Sequence, residues 1–327
     1  MSKARVLVTG GSGFIGSGLV KALLRAGCSV RVLDDNSRGH SRRLSEVAKD
    51  VEFVAGDIRD AAAVDAAARG IDEVHHLAFV NGTEFFYNAP DLVLDVGVRG
   101  MINVLDACRK QNIGTLVLAS SSEVYQTPPK IPTDESVPLV VPDVMNPRYS
   151  YGAGKLISEV MAINFGRKYF ERVLIFRPHN VYGPDMGWEH VVPQLALQLQ
   201  AAGKRQPSGR LRCEIQGTGQ ETRSFCFIDD LVAGVMVMRK KGQHLGIYNI
   251  GTDEEVSIAE LARRIAACAG REIELAAGKL AAGGTARRCP DISKLAGLGY
   301  KPRVPLAQGL PPTLEWYWQH AELAPKT

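Results

Sequence analysis

The sequence predicts an α/β protein with a doubly wound, parallel sheet and a smaller C-terminal α/β lobe. Three observations lead to this prediction. Short apolar runs alternate with helical patterns of about 10–15 residues through the first half of the chain. A glycine-rich turn separates the first apolar run from the first helical pattern. After Pro178 the composition changes, and glycine and proline recur through residues 181–224.

The first half of the chain predicts five strands joined by helices. The apolar runs are Arg5–Thr9, Val30–Leu33, Val51–Ala55, Val74–Leu77 and Thr115–Ala119. A helical pattern runs from Phe14 to Ala26 and stops at Gly27, a residue type that commonly follows a helix C-terminus. Because parallel strands joined by helices cross over with a right-handed connection, a doubly wound sheet is the expected architecture.

We expect a larger domain over residues 1–180 and a smaller lobe made mainly of residues 181–327. A segment of about 225–250 is predicted to return to the larger domain. Its two strand-like runs are Phe225–Ile228 and Tyr248–Ile250.

The smaller lobe is predicted to contain two helices. An apolar helix is expected near Val191–Leu199. Residues 253–260 are expected to open a second helix, because Ser257 and Glu260 have the spacing of a capping box.

Charge and cysteine content exclude several classes of protein. The chain has 327 residues and a net charge of +4, from 39 basic and 35 acidic residues. That balance does not indicate a nucleic-acid or membrane surface. The apolar stretch Val6–Val8 is too short for a signal peptide or a membrane span. The six cysteines include no C-x-x-C pair and no metal-binding spacing with histidine, so we expect no metal site, reduced thiols and a cytoplasmic location.

The glycine-rich turn predicts a site for a dinucleotide pyrophosphate. Gly10, Gly13 and Gly16 follow the first strand and open the first helix, as in the fingerprint of the Rossmann fold. Absent side chains let the backbone approach the phosphates, and the helix N-terminus favours negative charge. The turn residues expected to contact the cofactor are Gly10, Gly13, Phe14, Ile15 and Gly16.

An acidic residue at the end of the second strand indicates which dinucleotide binds. Asp34 lies 18 residues after Gly16, near the position of an acid that binds ribose hydroxyls. Its carboxylate would repel a 2′-phosphate, so NAD is expected rather than NADP, although Arg38 nearby leaves NADP open. Further predicted contacts to NAD are Asn36, Asp57, Ile58, Leu77, Ala78, Tyr151, Lys155 and Pro178. Asp57 is placed for the adenine amino group or, alternatively, for a helix N-cap.

A tyrosine and a lysine predict the acid–base chemistry. Tyr151 and Lys155 are four residues apart, on one face of a helix. A free tyrosine has a pKa of about 10, and lowering it by ~3 units takes ~4 kcal/mol. The Lys155 ammonium and a cationic nicotinamide would both favour the phenolate. Ser120–Tyr125 follows a predicted parallel strand, where a serine hydroxyl would face the ligand crevice.

The order of these motifs resembles the extended short-chain dehydrogenases, and more narrowly their NAD-dependent nucleotide-sugar epimerases and dehydratases. The motifs are Thr9–Gly16, His75–Ala78, Ser120–Tyr125 and the Tyr151/Lys155 pair. The resemblance continues through Arg177–Pro184, Gln216–Phe225, Asp229–Asp230, Tyr248–Gly251 and Arg287–Lys294. It therefore spans nearly the whole chain.

The resemblance implies a role for each matching residue. Ser121 matches the catalytic Ser or Thr, Tyr151 the base and Lys155 its partner. The residues expected to bind a nucleotide-diphosphate sugar are Glu84, Ser122, Asn180, Arg223 and Arg288. A homodimer is expected through the helices near Asp91–Lys110 and Tyr151–Tyr169, which are apolar on more than one face.

Three positions depart from the pattern of the family. The usual Gly after Val-Tyr is Gln126, the second Ala after His-Leu is Phe79, and an expected Asn is Gly97. The segment Phe79–Tyr87 also looks unlike the common 4-epimerases. Since it is expected beside the sugar, these departures bear on the substrate more than on the cofactor.

Glu123 decides between the possible reactions. It sits where some dehydratases and decarboxylases carry a Glu, which would act as the base at the sugar C5. Ser122 stands in place of an Asp that one dehydratase group uses as an acid. We therefore expect a 4-epimerase working through a transient 4-keto sugar, with a 4,6-dehydratase or a uronic-acid decarboxylase as alternatives. His179 is a further acid–base candidate, although a core histidine is the preferred interpretation.

Two interpretations from other classes fit the sequence less well. A non-catalytic NAD-binding scaffold has no need of Ser121, Tyr151 and Lys155 together. A dehydrogenase that releases NADH and uses a non-nucleotide substrate has no need of Arg223 and Arg288, which imply a diphosphate ligand.

Overall fold

The computed structural model describes residues 3–278 and 285–325. Its strands are β1 Arg5–Thr9, β2 Ser29–Asp34, β3 Val51–Ala55, β4 Glu73–His76, β5 Thr115–Ala119, β6 Arg172–Pro178, β7 Val181–Tyr182, β8 Leu211–Ile215, β9 Thr222–Ser224, β10 Cys226–Phe227, β11 Gly246–Ile250, β12 Glu255–Ser257, β13 Ile273–Ala277 and β14 Arg287–Arg288. Its α-helices are α1 Phe14–Arg25, α2 Ala61–Ala68, α3 Thr83–Asn88, α4 Pro90–Leu94, α5 Gly100–Lys110, α6 Ser150–Tyr169, α7 Val191–Arg205, α8 Ile228–Lys241, α9 Ile258–Cys268, α10 Ser293–Ala296 and α11 Leu306–Gln319.

A seven-stranded parallel sheet organises the first part of the chain. Its strand order is β11-β6-β5-β4-β1-β2-β3, and every neighbouring pair is parallel. One face is covered by α1 and α8, and the other by α2, α5 and α6. The predicted doubly wound sheet is therefore confirmed. The order reverses between β1 and β4, and ligands of such sheets bind in the crevice at that point.

The second part of the chain forms a separate apolar cluster. Helices α7, α9 and α11 pack there with strand β8. The small sheets β12-β9-β14 and β13-β8 lie in this part, while β11 returns to edge the large sheet beside β6. None of the helices in the described ranges is both long and apolar enough to cross a membrane.

Two local predictions in this part were partly wrong. Residues 253–260 do not begin a helix, because Glu255–Ser257 forms β12 and pairs antiparallel with β9. The helix starts at Ile258, where the Ser257 hydroxyl accepts the Glu260 N–H at 3.1 Å, so the predicted cap is confirmed. The strand expected over Phe225–Ile228 is shortened to Cys226–Phe227, since Ile228 already belongs to α8.

A buried ion pair fixes α6 against the large sheet. Arg177 on β6 and Glu159 on α6 are 2% and 3% exposed. Arg177 donates from Nε to Oε1 at 2.8 Å and from Nη2 to Oε2 at 2.6 Å. Its Nη1 donates to the Tyr125 hydroxyl at 2.6 Å, and the Ser120 hydroxyl donates to Glu159. The pair thus joins α6, β6 and the loop after β5.

Replacing Glu159 with Gln is expected to destabilise the fold by about 3–5 kcal/mol, because the Arg177 cation would stay buried without its counter-charge. Denaturant unfolding followed by circular dichroism measures this loss. Glu272→Gln is the control, because Glu272 pairs with Arg210 at 2.9 Å in full view of solvent. Exposed pairs contribute little, so this variant should unfold like the parent. Equal stability of the two variants would contradict the structural role of the buried pair.

Candidate active site

The first turn of the sheet forms a cradle with no room for side chains. Gly10 has φ +74°, and a Cβ there would lie 2.7 Å from the Ala78 N atom. A Cβ on Gly16 would lie 2.1 Å from the Gly10 carbonyl oxygen. Helix α1 begins at Phe14, and no side chain in the described part of the chain caps it. The turn therefore presents backbone amides at a helix N-terminus, which is the environment that the pyrophosphate of NAD requires.

Asp34 lies at the end of β2 with its carboxylate held in place. Oδ2 accepts the Ser12 N–H at 2.9 Å, and Oδ1 accepts the Asn36 N–H at 2.8 Å. The side chain is buried, and Asn36 adopts φ 56° to complete the turn. Each oxygen keeps a second lone pair, so the carboxylate can still accept hydrogen bonds from ribose hydroxyls.

Half of the predicted cofactor contacts line a single cleft at this edge of the sheet. Those in the cleft are Gly10, Gly13, Asp34, Asp57, Ile58, Leu77 and Ala78. Pro178 ends β6 at the same edge of the sheet. The alternative N-cap role of Asp57 is wrong, because Asp60 caps α2 through the amides of Ala62 and Ala63. Asp57 instead pairs with Arg59 at 2.6 Å, and this hydrogen bond lowers the pKa of its carboxyl.

Arg38, which left NADP open, lines this cleft too, but its guanidinium is engaged by other residues of the chain. It donates to Glu189 Oε1 at 3.0 Å and to the Asn81 carbonyl at 2.8 Å, and it lies over the Phe85 ring. Because these contacts engage the Arg38 guanidinium, we expect the Asp34 carboxylate to determine which ribose binds. The geometry fits NAD.

The predicted catalytic tyrosine meets the predicted serine at the start of α6. The Ser121 side chain lies close enough to the Tyr151 phenol to affect its proton affinity. Burial raises the pKa of Tyr151, and the interaction with Ser121 opposes this rise. The Ser121 hydroxyl also accepts the Glu123 N–H at 3.1 Å, so its rotamer is fixed by the turn Ser122–Val124. The phenol is thus protonated at neutral pH until positive charge enters the site.

Lys155 lies one helical turn after Tyr151 and is buried. Its Nζ donates to the Ala119 carbonyl at 2.7 Å, at the end of β5. Burial lowers the pKa of Lys155 to about 7. The ammonium is therefore sensitive to every group around it, which suits a residue that must adjust the proton affinity of a neighbour.

Glu123 sits among arginines rather than in an empty pocket. Arg288 Nη1 donates to Glu123 Oε1 at 2.7 Å, and Arg148 Nη2 lies 3.9 Å from Oε2. Burial alone would raise the pKa of Glu123, but Arg288, Arg148 and Arg223 outweigh it and hold that pKa below its usual range. The sequence did not single out Arg148; its position three residues before Tyr151 was the available signal.

A second cleft of about 720 Å³ opens beside the first. Of the predicted substrate residues it is lined by Glu84, Asn180 and Arg223, together with Arg148, His190 and Thr285. Asn180 adopts φ 37° and donates to the Ser224 carbonyl at 3.2 Å. The structure therefore brings three of the five predicted substrate residues into the lining of this cleft.

The other two predicted substrate residues occupy different surroundings. Ser122 is buried in the turn after β5. Arg288 is buried between Glu123 and the Thr285 hydroxyl, to which it donates at 3.0 Å. Arg223 points its guanidinium at the carbonyls of Thr222 and Thr285, both 2.7 Å away. Both arginines are thus held by the protein itself.

His179 has the environment of a core histidine. It is fully buried, and its Nε2 lies 3.2 Å from Asn249 Oδ1. Burial lowers the pKa of His179 to about 3, so the ring stays neutral at any physiological pH. The preferred interpretation from the sequence agrees with this environment.

Comparisons with known proteins agree with this geometry. The "NAD dependent epimerase/dehydratase family" matches residues 6–251. The UDP-glucose 4-epimerase of Mycolicibacterium smegmatis is 34% identical over 322 residues, covering 96% of this chain and 98% of that protein. The dTDP-D-glucose 4,6-dehydratase of Bos taurus is 30% identical over 348 residues, covering 98% of this chain and 92% of that protein.

A solved structure extends the likeness to three dimensions. The UDP-glucose 4-epimerase of Thermus thermophilus, in complex with NAD, superposes with a TM-score of 0.85 at 28% identity. The match covers 97% of this chain and 99% of that one. The chain belongs to the NAD-dependent epimerase/dehydratase family of enzymes.

Proposed function

We propose that this protein is an NAD-dependent 4-epimerase of a nucleotide-diphosphate sugar. The observation that carries the proposal is the placement of Tyr151 and Lys155 on the Phe79 ring, which lines the cofactor cleft, with Ser121 acting on the Tyr151 phenol. A sugar hydroxyl placed there meets a proton acceptor, a hydrogen-bond donor and a nearby cation. This arrangement suits reversible oxidation of an alcohol.

Each of the three residues has a distinct task in this chemistry. Tyr151 takes the proton from the sugar C4 hydroxyl and later returns it. Ser121 holds the same oxygen by a hydrogen bond while it becomes a ketone. Lys155 stabilises the phenolate of Tyr151 by its charge. NAD held by the glycine cradle and Asp34 would accept a hydride from C4 and return it to the opposite face of the 4-keto sugar.

The environment of Glu123 favours epimerisation over the two alternatives. A dehydratase or a decarboxylase would use this carboxylate as a base at C5. Its ion pair with Arg288 stabilises the ionised form and makes it a weak proton acceptor. We therefore assign Glu123 the task of holding Arg288 and Arg148 in place. A non-catalytic scaffold would have no use for the intact Tyr151 site.

The second cleft suits the diphosphate and nucleotide of the substrate. Arg223 and Arg148 reach this cleft, and a planar guanidinium matches the oxygens of a phosphate. Burial lowers the pKa of Arg223 to about 10, so it stays protonated at neutral pH. We propose that residues 1–180 with the returning segment bind NAD and that residues 181–327 mainly bind this nucleotide sugar.

Incubation with UDP-, dTDP-, GDP- and CDP-sugars is expected to give a product of unchanged mass and new stereochemistry at C4, detected by mass spectrometry and NMR. Tyr151→Phe should lower the turnover number by about 10²–10⁴-fold, because the proton transfer is lost. Loss of water would identify a dehydratase, and loss of carbon dioxide a decarboxylase. No turnover of any sugar by a protein that binds NAD would favour a scaffold.

Glu123→Gln provides the internal control for this assignment. A carboxylate that only holds arginines can be replaced at the cost of less than about tenfold in turnover, whereas loss of a base costs about 10²–10⁴-fold. A loss of turnover of about 10²–10⁴-fold would indicate that Glu123 acts as a base and would contradict the epimerase assignment.

Three arginines after Asp34 form ion pairs with the segment between β7 and α7, and one of them, Arg38, lines the cofactor cleft. Arg38 binds Glu189 at 3.0 Å, and Arg43 binds Asp185 at 3.0 Å, with Arg42 on the same carboxylate. Both acids lie between β7 and α7, outside the large sheet. We propose that this clasp slows the escape of NAD, since the loop must break these pairs before it opens.

Glu189→Gln is expected to release NAD about fivefold faster, because one partly buried ion pair contributes on the order of 1 kcal/mol. Gel filtration of the loaded protein, followed by assay of the NAD that remains bound, measures this. Glu46→Gln is the matched control, because Glu46 lies in the same short helix Ser41–Val47 as Arg42 and Arg43, pairs with Lys21 at 2.8 Å and is exposed to solvent. Equal retention of NAD by the two variants would contradict the proposed clasp.

We also propose a cytoplasmic homodimer. Ile102 on α5, and Ile157 and Val160 on α6, are each 37–45% exposed although these helices are otherwise well covered. Leu94 on α4 extends the same apolar set. A second copy of the same chain would bury these apolar side chains in a homodimer interface. The six cysteines are unpaired, which suits a reducing compartment.

Val160→Glu is expected to convert the dimer into a monomer, because a charge in the centre of an apolar interface is not compensated there. Analytical ultracentrifugation at micromolar concentration gives the mass. Val144→Glu is the control, since Val144 is 85% exposed in the loop before α6. A parent protein that sediments as a monomer would refute the dimer outright.

A further inference from the structure

Phe79 occupies a notch made by two glycines. Its ring fits between Gly97, at the junction of α4 and α5, and Gly154 on α6. A Cβ on Gly97 would lie 2.2 Å from the Phe79 Cζ atom, and one on Gly154 would lie 2.9 Å from the same atom. Neither glycine has a positive φ, so the backbone conformation does not require glycine at either position. Their lack of a side chain is therefore explained by the ring that fills the space.

The face of this ring carries the Lys155 ammonium. Nζ lies 4.1 Å from the centroid of Phe79, well inside the range of a cation–π interaction. The same Nζ donates to the Ala119 carbonyl. Burying an ammonium with three N–H donors is costly unless the lost hydration of each donor is compensated. Besides the Ala119 carbonyl, the electron-rich face of the Phe79 ring supplies this compensation.

Phe79 also contacts the ring of Tyr151. Their centroids are 5.2 Å apart and their planes meet at 85°, an edge-to-face contact. Tyr151 is also stacked on Phe86 at 4.9 Å and 17°. The tyrosine ring is therefore packed against two phenylalanines, and one of these, Phe79, also holds the Lys155 ammonium.

We propose that Phe79 is a positioning residue for the acid–base pair, fixing the Lys155 ammonium through its ring face and the Tyr151 ring through an edge-to-face contact. This inference rests on the proposed function for its consequence in catalysis. The contacts themselves belong to the folded protein and are testable without substrate.

The other groups around Lys155 do not replace this ring. His76 on β4 faces it, but burial and Lys155 itself lower the pKa of His76 to about 3, so it is neutral. Glu159 on the same helix favours the charged form but is bonded to Arg177. Tyr151 is neutral in the free protein because burial raises its pKa. The ring of Phe79 is thus a principal local support for the cation.

The sign of the expected pH effect follows from these groups. A ring face favours the charged lysine, so its removal lowers the pKa of Lys155 further below its value of about 7. With less positive charge beside it, the phenolate of Tyr151 forms at higher pH. The acid limb of the pH–activity profile moves to higher pH and the alkaline limb moves to lower pH, so the pH range of activity narrows.

Phe79→Leu tests the inference, because leucine keeps an apolar side chain but has no ring face. We expect kcat/KM at its optimum to fall about tenfold and each limb of its pH profile to move inward by about 0.5–1 unit. Phe53→Leu is the matched control, since Phe53 lies 40% exposed on the edge strand β3. An unchanged pH profile in Phe79→Leu, with or without a lower melting temperature, overturns the proposal.

Gly97→Ala tests the same contact without altering the ring. The new Cβ displaces Phe79 from the notch, so this variant should reproduce the narrowed pH profile of Phe79→Leu. In the double variant the smaller leucine leaves room for the alanine, and the two effects should not add. Additive losses would show that Gly97 acts independently of Phe79 and would overturn the proposed notch.

A measurement without substrate separates this inference from the proposed function. The ultraviolet absorbance of tyrosinate, taken as the difference between each protein and its Tyr151→Phe counterpart, reports ionisation of Tyr151 in the NAD-bound protein. In the Phe79→Leu background this ionisation should shift to higher pH by about 0.5–1 unit. The shift supports the inference even if no sugar is turned over, and its absence overturns the inference even if epimerisation is found.

Discussion

The buried ion pair between Arg177 and Glu159 is the constraint on which the site depends. It ties α6 to β6 and, through Ser120 and Tyr125, to the loop after β5. The carboxylate end of this pair lies one helical turn beyond Lys155. Since two buried charges are stable only when their geometry is complete, α6 has little freedom to slide or rotate. The spacing of Tyr151 and Lys155 from the sheet is therefore fixed by an interaction that is separate from the proposed chemistry.

The topology of the sheet does the rest of the assembly. Gly10 follows β1, Ala78 follows β4 and Ser121 follows β5, so residues far apart in the chain meet at one edge. The crossing from β1 to β4 opens the crevice there. The segment between β7 and α7 carries the acids that Arg38 and Arg43 bind, and so it is tied to the loop after β2. A rigid sheet thus positions groups that mobile segments alone would hold poorly.

The sequence predicted the parts of the site whose signal is local. The glycine cradle, Asp34, and the spacing of Tyr151 and Lys155 are read from neighbouring residues, and they lie where expected. Contacts between distant positions gave no such signal. Glu123 and Arg288 are 165 residues apart, and Arg38 and Glu189 are 151 apart. Pairing in space decides these partnerships, as it also turned Glu255–Ser257 into a strand, and no periodicity along the chain encodes it.

The fit of Phe79 between Gly97 and Gly154 means that a substitution at any one of the three positions constrains the other two. A phenylalanine introduced opposite larger residues meets a clash, whereas glycines without the ring leave only a void. The accessible order of change is therefore the glycines first and the ring second. A segment grafted from a relative into this chain, or from this chain into a relative, will work only if all three residues travel together. The same interlock sets a barrier to reversion, because any single step back passes through a poorly packed intermediate.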